Sequence, residues 1–264
     1  MRLTHKNYFT KANNYLSNSK LKDYLKDKRY FYEKHITHTR SKKETPALKI
    51  GSAVDLYVTK SKAAFNKAYR RVERRNLKEP PTAYTELTPA EYDTVVGISE
   101  RVRKQQIAKE LKGFTSQKIL KYDMDLGHFR GVCGIPDWYK VEGDKGIIVD
   151  LKTTAKLDGY EWTALKYGYY QQQAYYQMLL QELEGCEIFE SYHLVVEKDV
   201  DSVYNCQVFR LSQRRIDQEK EKVAMLLREI RDEKAYKPNN VGFEDAVMIG
   251  ELKVEEGDIT KWED

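Results

Sequence analysis

The stretch GVCGIPDWYKVEGDKGIIVDLKTT, residues 131–154, decides how the chain is read. Its first half has the two-residue period of a strand, Glu142 to Gly146 supply a turn, and Ile147, Ile148 and Val149 form an unbroken apolar run. Alternation and a short apolar run bounded by turn residues are both signals of strands. Two strands, predicted over 136–141 and 146–152, therefore form a hairpin. Residues two apart on a strand share a face, so Asp150 and Lys152 project together while Leu151 points into packing. The hairpin sets Asp137 beside Asp150, and two carboxylates and an ammonium converge at one sheet surface.

Each residue alone is ordinary. An aspartate at a strand end commonly caps a turn, and a lysine after a buried strand commonly reaches for solvent. Together they pose an electrostatic problem, because close carboxylates raise one another's pKa unless they share a proton or a cation intervenes. Hard oxygen ligands with open positions suit Mg²⁺ or Mn²⁺, which accept phosphate oxygens readily. The chemistry this points to is phosphodiester hydrolysis.

Working outward, strands are predicted over 118–124 and 127–134 around a turn at Asp125 to Gly127, giving an antiparallel set. Upstream, Ser17-Asn18-Ser19 can cap a helix through Leu21, Tyr24, Leu25, Tyr30 and Phe31. Its aromatics alternate with Lys22, Lys26, Lys28 and Arg29, and read either as core or as a clamp for nucleic acid. A second helix is expected from near Ile50, a basic stretch from Lys60 to Lys78 ends at Pro80-Pro81, and Thr88-Pro89-Ala90-Glu91 is a capping box opening a helix to about Lys112. Downstream, a helix over 166–182, strands over 187–197 and 203–210 flanking Asp199 to Ser202, and a charged helix over 212–233 complete the order. That succession predicts an α/β or α+β layered fold. It is expected as one domain over 1–240, mainly helical and basic to residue 115 and sheet-bearing over 116–235, followed by an acidic tail over 241–264.

Composition agrees with a folded chain of this kind. Of 264 residues, 41% are hydrophobic and 12% aromatic, too many for a disordered chain, while 33% are charged. The net charge of +5 is unevenly spread: residues 1–80 carry 21 Lys or Arg against 7 Asp or Glu, and 239–264 carry 2 against 8. The basic part suits a polyanion. Cys133, Cys186 and Cys206 include no CxxC pair, which leaves no disulfide framework and no four-cysteine zinc or iron–sulfur site. No apolar run is long enough to span a membrane, and the N-terminus lacks the apolar core of a signal peptide, so the expected location is the cytosol.

The pattern Gly134-Ile135-Pro136-Asp137 followed by Ile147-Ile148-Val149-Asp150-Leu151-Lys152-Thr153 resembles the PD-(D/E)xK nuclease superfamily, in particular its RecB-like and RecE-like exonucleases. Such nucleases have a restriction-endonuclease-like core, a central mixed sheet flanked by helices, here with a helical N-terminal segment. The resemblance implies Asp137, Asp150 and Lys152 as catalytic residues, with Asp137, Asp150 and the Leu151 carbonyl as metal ligands. It extends to a Gln-x-x-x-Tyr element, matched by Gln172 and Tyr176, which with Thr153 are implied to hold DNA or support the metal ligands. Gly51-Ser52-Ala53-Val54-Asp55 falls where many relatives carry Gly-x-x-x-His, so Asp55 is implied as a further ligand in place of histidine. Some relatives carry a four-cysteine iron–sulfur cluster, for which this chain has too few cysteines. DNA is the implied substrate, a Mg²⁺- or Mn²⁺-dependent exonuclease the implied activity in recombination or end processing, and a single-strand annealing protein a candidate partner. Two alternatives stay open: a single-strand or flap-specific nuclease, and a catalytically silent nuclease fold that binds DNA or a protein. No motif sets the oligomeric state, polarity or processivity.

Overall fold

A computed structural model describes residues 3–8, 10, 13–40, 45–73, 84–198 and 203–233. Pro80-Pro81, the end of the basic stretch, the turn at Asp199 to Ser202 and the acidic tail lie outside the described residues. In chain order the first part comprises α1 (His5–Tyr8), β1 (Leu16–Ser17), α2 (Asn18–Lys26), α3 (Lys28–His35), α4 (Pro46–Asp55), a π-helical turn (Leu56–Lys60), α5 (Lys62–Ala68), β2 (Tyr69–Arg71), β3 (Thr85–Leu87), α6 (Pro89–Lys104) and α7 (Gln106–Glu110). The second comprises β4 (Thr115–Ser116), β5 (Leu120–Leu126), β6 (Phe129–Gly134), β7 (Trp138–Glu142), β8 (Lys145–Thr154), α8 (Tyr160–Lys166), α9 (Tyr169–Glu184), β9 (Ile188–Glu197), β10 (Cys206–Arg210) and α10 (Gln213–Asp232).

The central sheet has the order β10-β9-β8-β7-β4. It is mixed: β8 pairs antiparallel with β7 and parallel with β9, and α8 and α9 form the crossover that a parallel pair requires. The 131–154 hairpin forms with Trp138 opposite Val149 and closes through Gly143, whose φ of 60° is a conformation that glycine adopts at little steric cost. A second sheet, β1-β6-β5, contains the other expected hairpin, and β2 and β3 form a short parallel pair.

The apolar run of β8 is buried on both sides. Ile148 packs with Tyr175, Leu179 and Leu180 of α9, with Val223 and Ile230 of α10 in the same cluster. Val149 packs in another cluster with Trp138, Val54 of α4 and Val95, Ile98 and Val102 of α6. Helices thus cover both faces of a mixed sheet, and the α/β layered reading stands.

Several boundaries differ from expectation for local reasons. The single helix expected through Phe31 is two, because Asp27 is extended and its side chain accepts from the Tyr30 amide, capping a new helix. Leu25, expected on the inward face, is exposed. The second helix begins at Pro46 under a Thr45 cap, earlier than Ile50. The Thr88 capping box forms as predicted, but α6 stops at Lys104 because Gln105 is extended, and α7 follows. β10 begins only at Cys206, since Val203 and Tyr204 have φ of 55° and 54° and cannot join a ladder. Helix α8 was not anticipated, and α9 starts at Tyr169 instead of 166. Thr88→Ala should remove the cap from α6 and lower stability by about 1 kcal/mol, measurable by urea denaturation.

Candidate active site

The expected site residues come from four places in the chain and meet in one cavity. Asp55 is the last residue of α4, and its carbonyl accepts from Thr59 Oγ1 at 2.7 Å across the π-helical turn. Asp137 lies just before β7, one residue outside the strand predicted to contain it. Asp150, Leu151, Lys152 and Thr153 lie on β8, and Gln172 and Tyr176 on the first turns of α9. All eight line a cavity of about 690 Å³. Leu151 also packs with the α4 and α6 layer, as its strand parity predicted.

Pairing of β7 with β8 ends at Val149, which leaves the Leu151 amide without a strand partner on that side. The Asp137 carboxylate takes the place, accepting that N–H at 2.7 Å. Lys152 Nζ donates to Asp150 Oδ2 and to Gln172 Oε1, the latter at 2.9 Å, and stands 4.5 Å from the centre of the Tyr169 ring. Gln172 Nε2 donates to the Tyr176 hydroxyl at 3.3 Å, and that hydroxyl donates to the Ile135 carbonyl at 3.0 Å. The Gln-x-x-x-Tyr pair therefore links the lysine to the loop carrying Asp137, while Gln172 also lines the cavity.

Two residues at the site escaped the sequence reading. Gln117 has a φ of 53°, and its Nε2 lies between two carboxylates, donating to Asp137 Oδ1 at 2.8 Å and to Asp55 at 3.1 and 3.3 Å. Its backbone N–H also reaches the Asp137 carbonyl at 3.1 Å. A glutamine ahead of a strand carries no signal that would have revealed this. Lys22 had been noted only as part of a basic, aromatic helix. It reaches across to donate to the Tyr167 carbonyl at 2.7 Å and lines the same cavity.

The electrostatics record how much negative charge is gathered here. Burial, then the charges of Asp150 and Asp55, push the Asp137 carboxyl well above its usual range. Burial and the charge of Asp150 push Asp55 up to about 6. Burial alone would lower the Lys152 pKa, but Asp150 and Asp137 outweigh it and hold the ammonium charged. Lys22 is lowered to about 8 by burial and by Lys152 nearby.

The donor set suits a hard divalent cation: three carboxylates and a strand carbonyl present oxygen only. The raised pKa values of Asp55 and Asp137 express the same need for positive charge. As they stand, though, the Gln117 amide fills the space between Asp55 and Asp137, and Lys152 sits on Asp150. Among the described residues, no group of three or more His, Cys, Asp or Glu is arranged around a point where a metal ion would sit. Gln117 must give way for a cation to bind both carboxylates. Cys133 on β6, Cys186 in the loop after α9 and Cys206 on β10 are free thiols. No helix among the described residues is long and apolar enough to cross a membrane.

The fold is shared with a crystal structure of a protein from Eubacterium rectale described as a "Putative exonuclease", with 17% identity, a TM-score of 0.66 and 99% of each chain covered. The crystal structure of SSO0001 aligns over 79% of this chain and 82% of that one at 12% identity, but its TM-score of 0.30 is too low to argue from. No curated protein matches the sequence. The profile of one family, described as a PDDEXK-like domain of unknown function (DUF3799), matches residues 17–242. With most of its length inside that match, and with the Asp137, Asp150 and Lys152 signature assembled on its central sheet, the chain belongs to this PDDEXK-like family.

Proposed function

We propose that the chain is a divalent-metal-dependent deoxyribonuclease that hydrolyses phosphodiester bonds at DNA ends. One observation carries the reading: Asp55, Asp137 and Asp150 meet the Lys152 ammonium in a single open cavity. The three carboxylates and the Leu151 carbonyl would hold Mg²⁺ or Mn²⁺. The chemistry such an ion would supply is polarisation of the scissile phosphate and a lowered pKa for an attacking water. Lys152, fixed by Asp150, Gln172 and the Tyr169 ring, sets a positive charge where negative charge develops on the phosphate. Gln172 and Tyr176 hold that lysine in register with Asp137. The basic first third of the chain suits the phosphate backbone, giving salt-dependent binding with little sequence preference.

Action at ends is supported by the likeness to a protein described as an exonuclease, and a role in recombination beside a strand-annealing protein by the resemblance to RecE-like enzymes. The test is digestion of an end-labelled linear duplex beside its closed circular form, with Mg²⁺, with Mn²⁺ and with chelator. Labelled nucleotides should leave the linear substrate only, and only with metal. Equal cutting of the circle would overturn the preference for ends.

A second reading, a nuclease fold that binds DNA without cutting it, is favoured by the Gln117 amide lodged between Asp55 and Asp137. Titration with Mn²⁺ followed by its paramagnetic resonance separates the two. No bound Mn²⁺, together with retained DNA binding, supports the silent fold.

A further inference from the structure

Between β8 and α9, helix α8 turns two sets of side chains in opposite directions. Tyr160 and Ala164 are buried, each 2% exposed, in a cluster with Val195. Trp162 and Leu165, three residues apart on the other face, are 70% and 37% exposed, and Tyr167 just beyond is 56% exposed. A tryptophan is among the costlier residues to leave in water. Nothing in the packing of α8 requires large apolar side chains on its outer face.

The tyrosine just past this face lies at the site. The Tyr167 ring is 6.0 Å from that of Tyr169 at 31°, and Tyr169 lies against the Lys152 ammonium at 4.5 Å and the Lys22 ammonium at 5.6 Å. Aromatic surface therefore runs from the catalytic lysine outward to an exposed ring, with both tyrosines lining the cavity. The run is held in place: Lys22 Nζ binds the Tyr167 carbonyl, and Gly168 follows with φ of 62°, where an added Cβ would meet the Lys22 side chain at 3.4 Å. Lys22 and Lys198 line the cavity beside it, and Lys156 and Lys166 are exposed at the two ends of the segment.

Flat rings beside cations, leading to a phosphodiester-cleaving centre, match one ligand chemistry: unpaired bases joined by phosphates. Each base has a π-face to stack on a ring, whereas paired bases inside a duplex hide theirs. We infer that Tyr167, backed by Tyr169, forms a stacking platform for the unpaired bases of a DNA strand next to the cleaved bond, so that the protein takes frayed or single-stranded ends in preference to intact duplex. This rests on the nuclease reading above and adds the strand state of its substrate.

The full chain, kept in chelator so that nothing is cut, can be titrated against three fluorescein-labelled probes: an oligothymidine, the same backbone with abasic residues, and a blunt duplex. Oligothymidine should bind about tenfold more tightly than the abasic strand, the scale expected for one stacked base. In Tyr167→Ala that preference should vanish while abasic and duplex affinities stay put. Tyr167→Phe, which keeps the ring, should retain it. Equal binding of thymidine and abasic strands, or a uniform loss for all probes in Tyr167→Ala, overturns the platform and leaves the nuclease reading intact. Binding of none of the probes overturns both.

Discussion

Asp150→Ala is expected to lower metal-dependent DNA cleavage by about a thousandfold or more, on the scale of losing a central electrostatic element of an active site. Asp150 is 2% exposed and serves two roles at once. In the proposed mechanism it offers an oxygen to the cation, and in the structure it is the anionic partner of Lys152. Without it, the lysine keeps the Gln172 oxygen and the Tyr169 ring, and burial favours its neutral form. Loss of one carboxylate thus disables the cation site and the fixed positive charge together. Lys152→Met, which leaves all three carboxylates, should impair cleavage while Mn²⁺ binding survives. Single-turnover digestion of labelled duplex reads the first effect, and paramagnetic resonance reads the second. A rate for Asp150→Ala within tenfold of wild type would sink the assignment.

The second large effect concerns stability. Asp55 has its pKa raised to about 6 from an ordinary 3.8, so between these values the folded protein keeps a proton that the unfolded chain has released. Stability therefore falls as pH rises through that window, on the order of 3 kcal/mol for this group. Asp137, also pushed upward, extends the fall to higher pH. Asn at either position removes the charge and keeps an acceptor for Gln117. In chelator at pH 8, Asp55→Asn and Asp137→Asn should melt about 5–10 °C above wild type, with the gap closing near pH 4. Mn²⁺ should raise the wild type more than either variant. Scanning calorimetry across pH checks the sign, and a lower melting temperature for both variants would refute it. Gathering carboxylates with no cation between them costs the fold stability, as the proposed cation site requires.

The hairpin and its carboxylates were legible in the sequence because they rest on a strict rule, the two-residue period that puts Asp150 and Lys152 on one face. The four-residue step from Gln172 to Tyr176 was legible for the same reason. Expectation failed where side chains acted locally or at long range. Asp27 capping Tyr30 splits a helix whose apolar period continues across the break, and period outweighed the cap in the reading. The parallel pairing of β8 with β9 joins strands separated by two helices, and no local pattern encodes it. Gln117 is the clearest case: its role depends on a backbone turn with φ of 53° and on two aspartates 62 and 20 residues away. Asp55 was found through resemblance, and its place beside Asp137 through Gln117 was visible only in three dimensions.

The parallel join between β8 and β9 also bears on when the protein becomes dangerous. Asp150 lies opposite His193, so the strand that bears it gains its second neighbour only after α8 and α9 have been made. The assembled site draws on segments from Asp55 to Tyr176, and contacts so distant in sequence form late. A nascent chain that ends after β8 carries every acidic residue of the centre yet lacks the scaffold that aligns them. Synthesis order thus leaves the proposed cutting centre unassembled until most of the domain has left the ribosome.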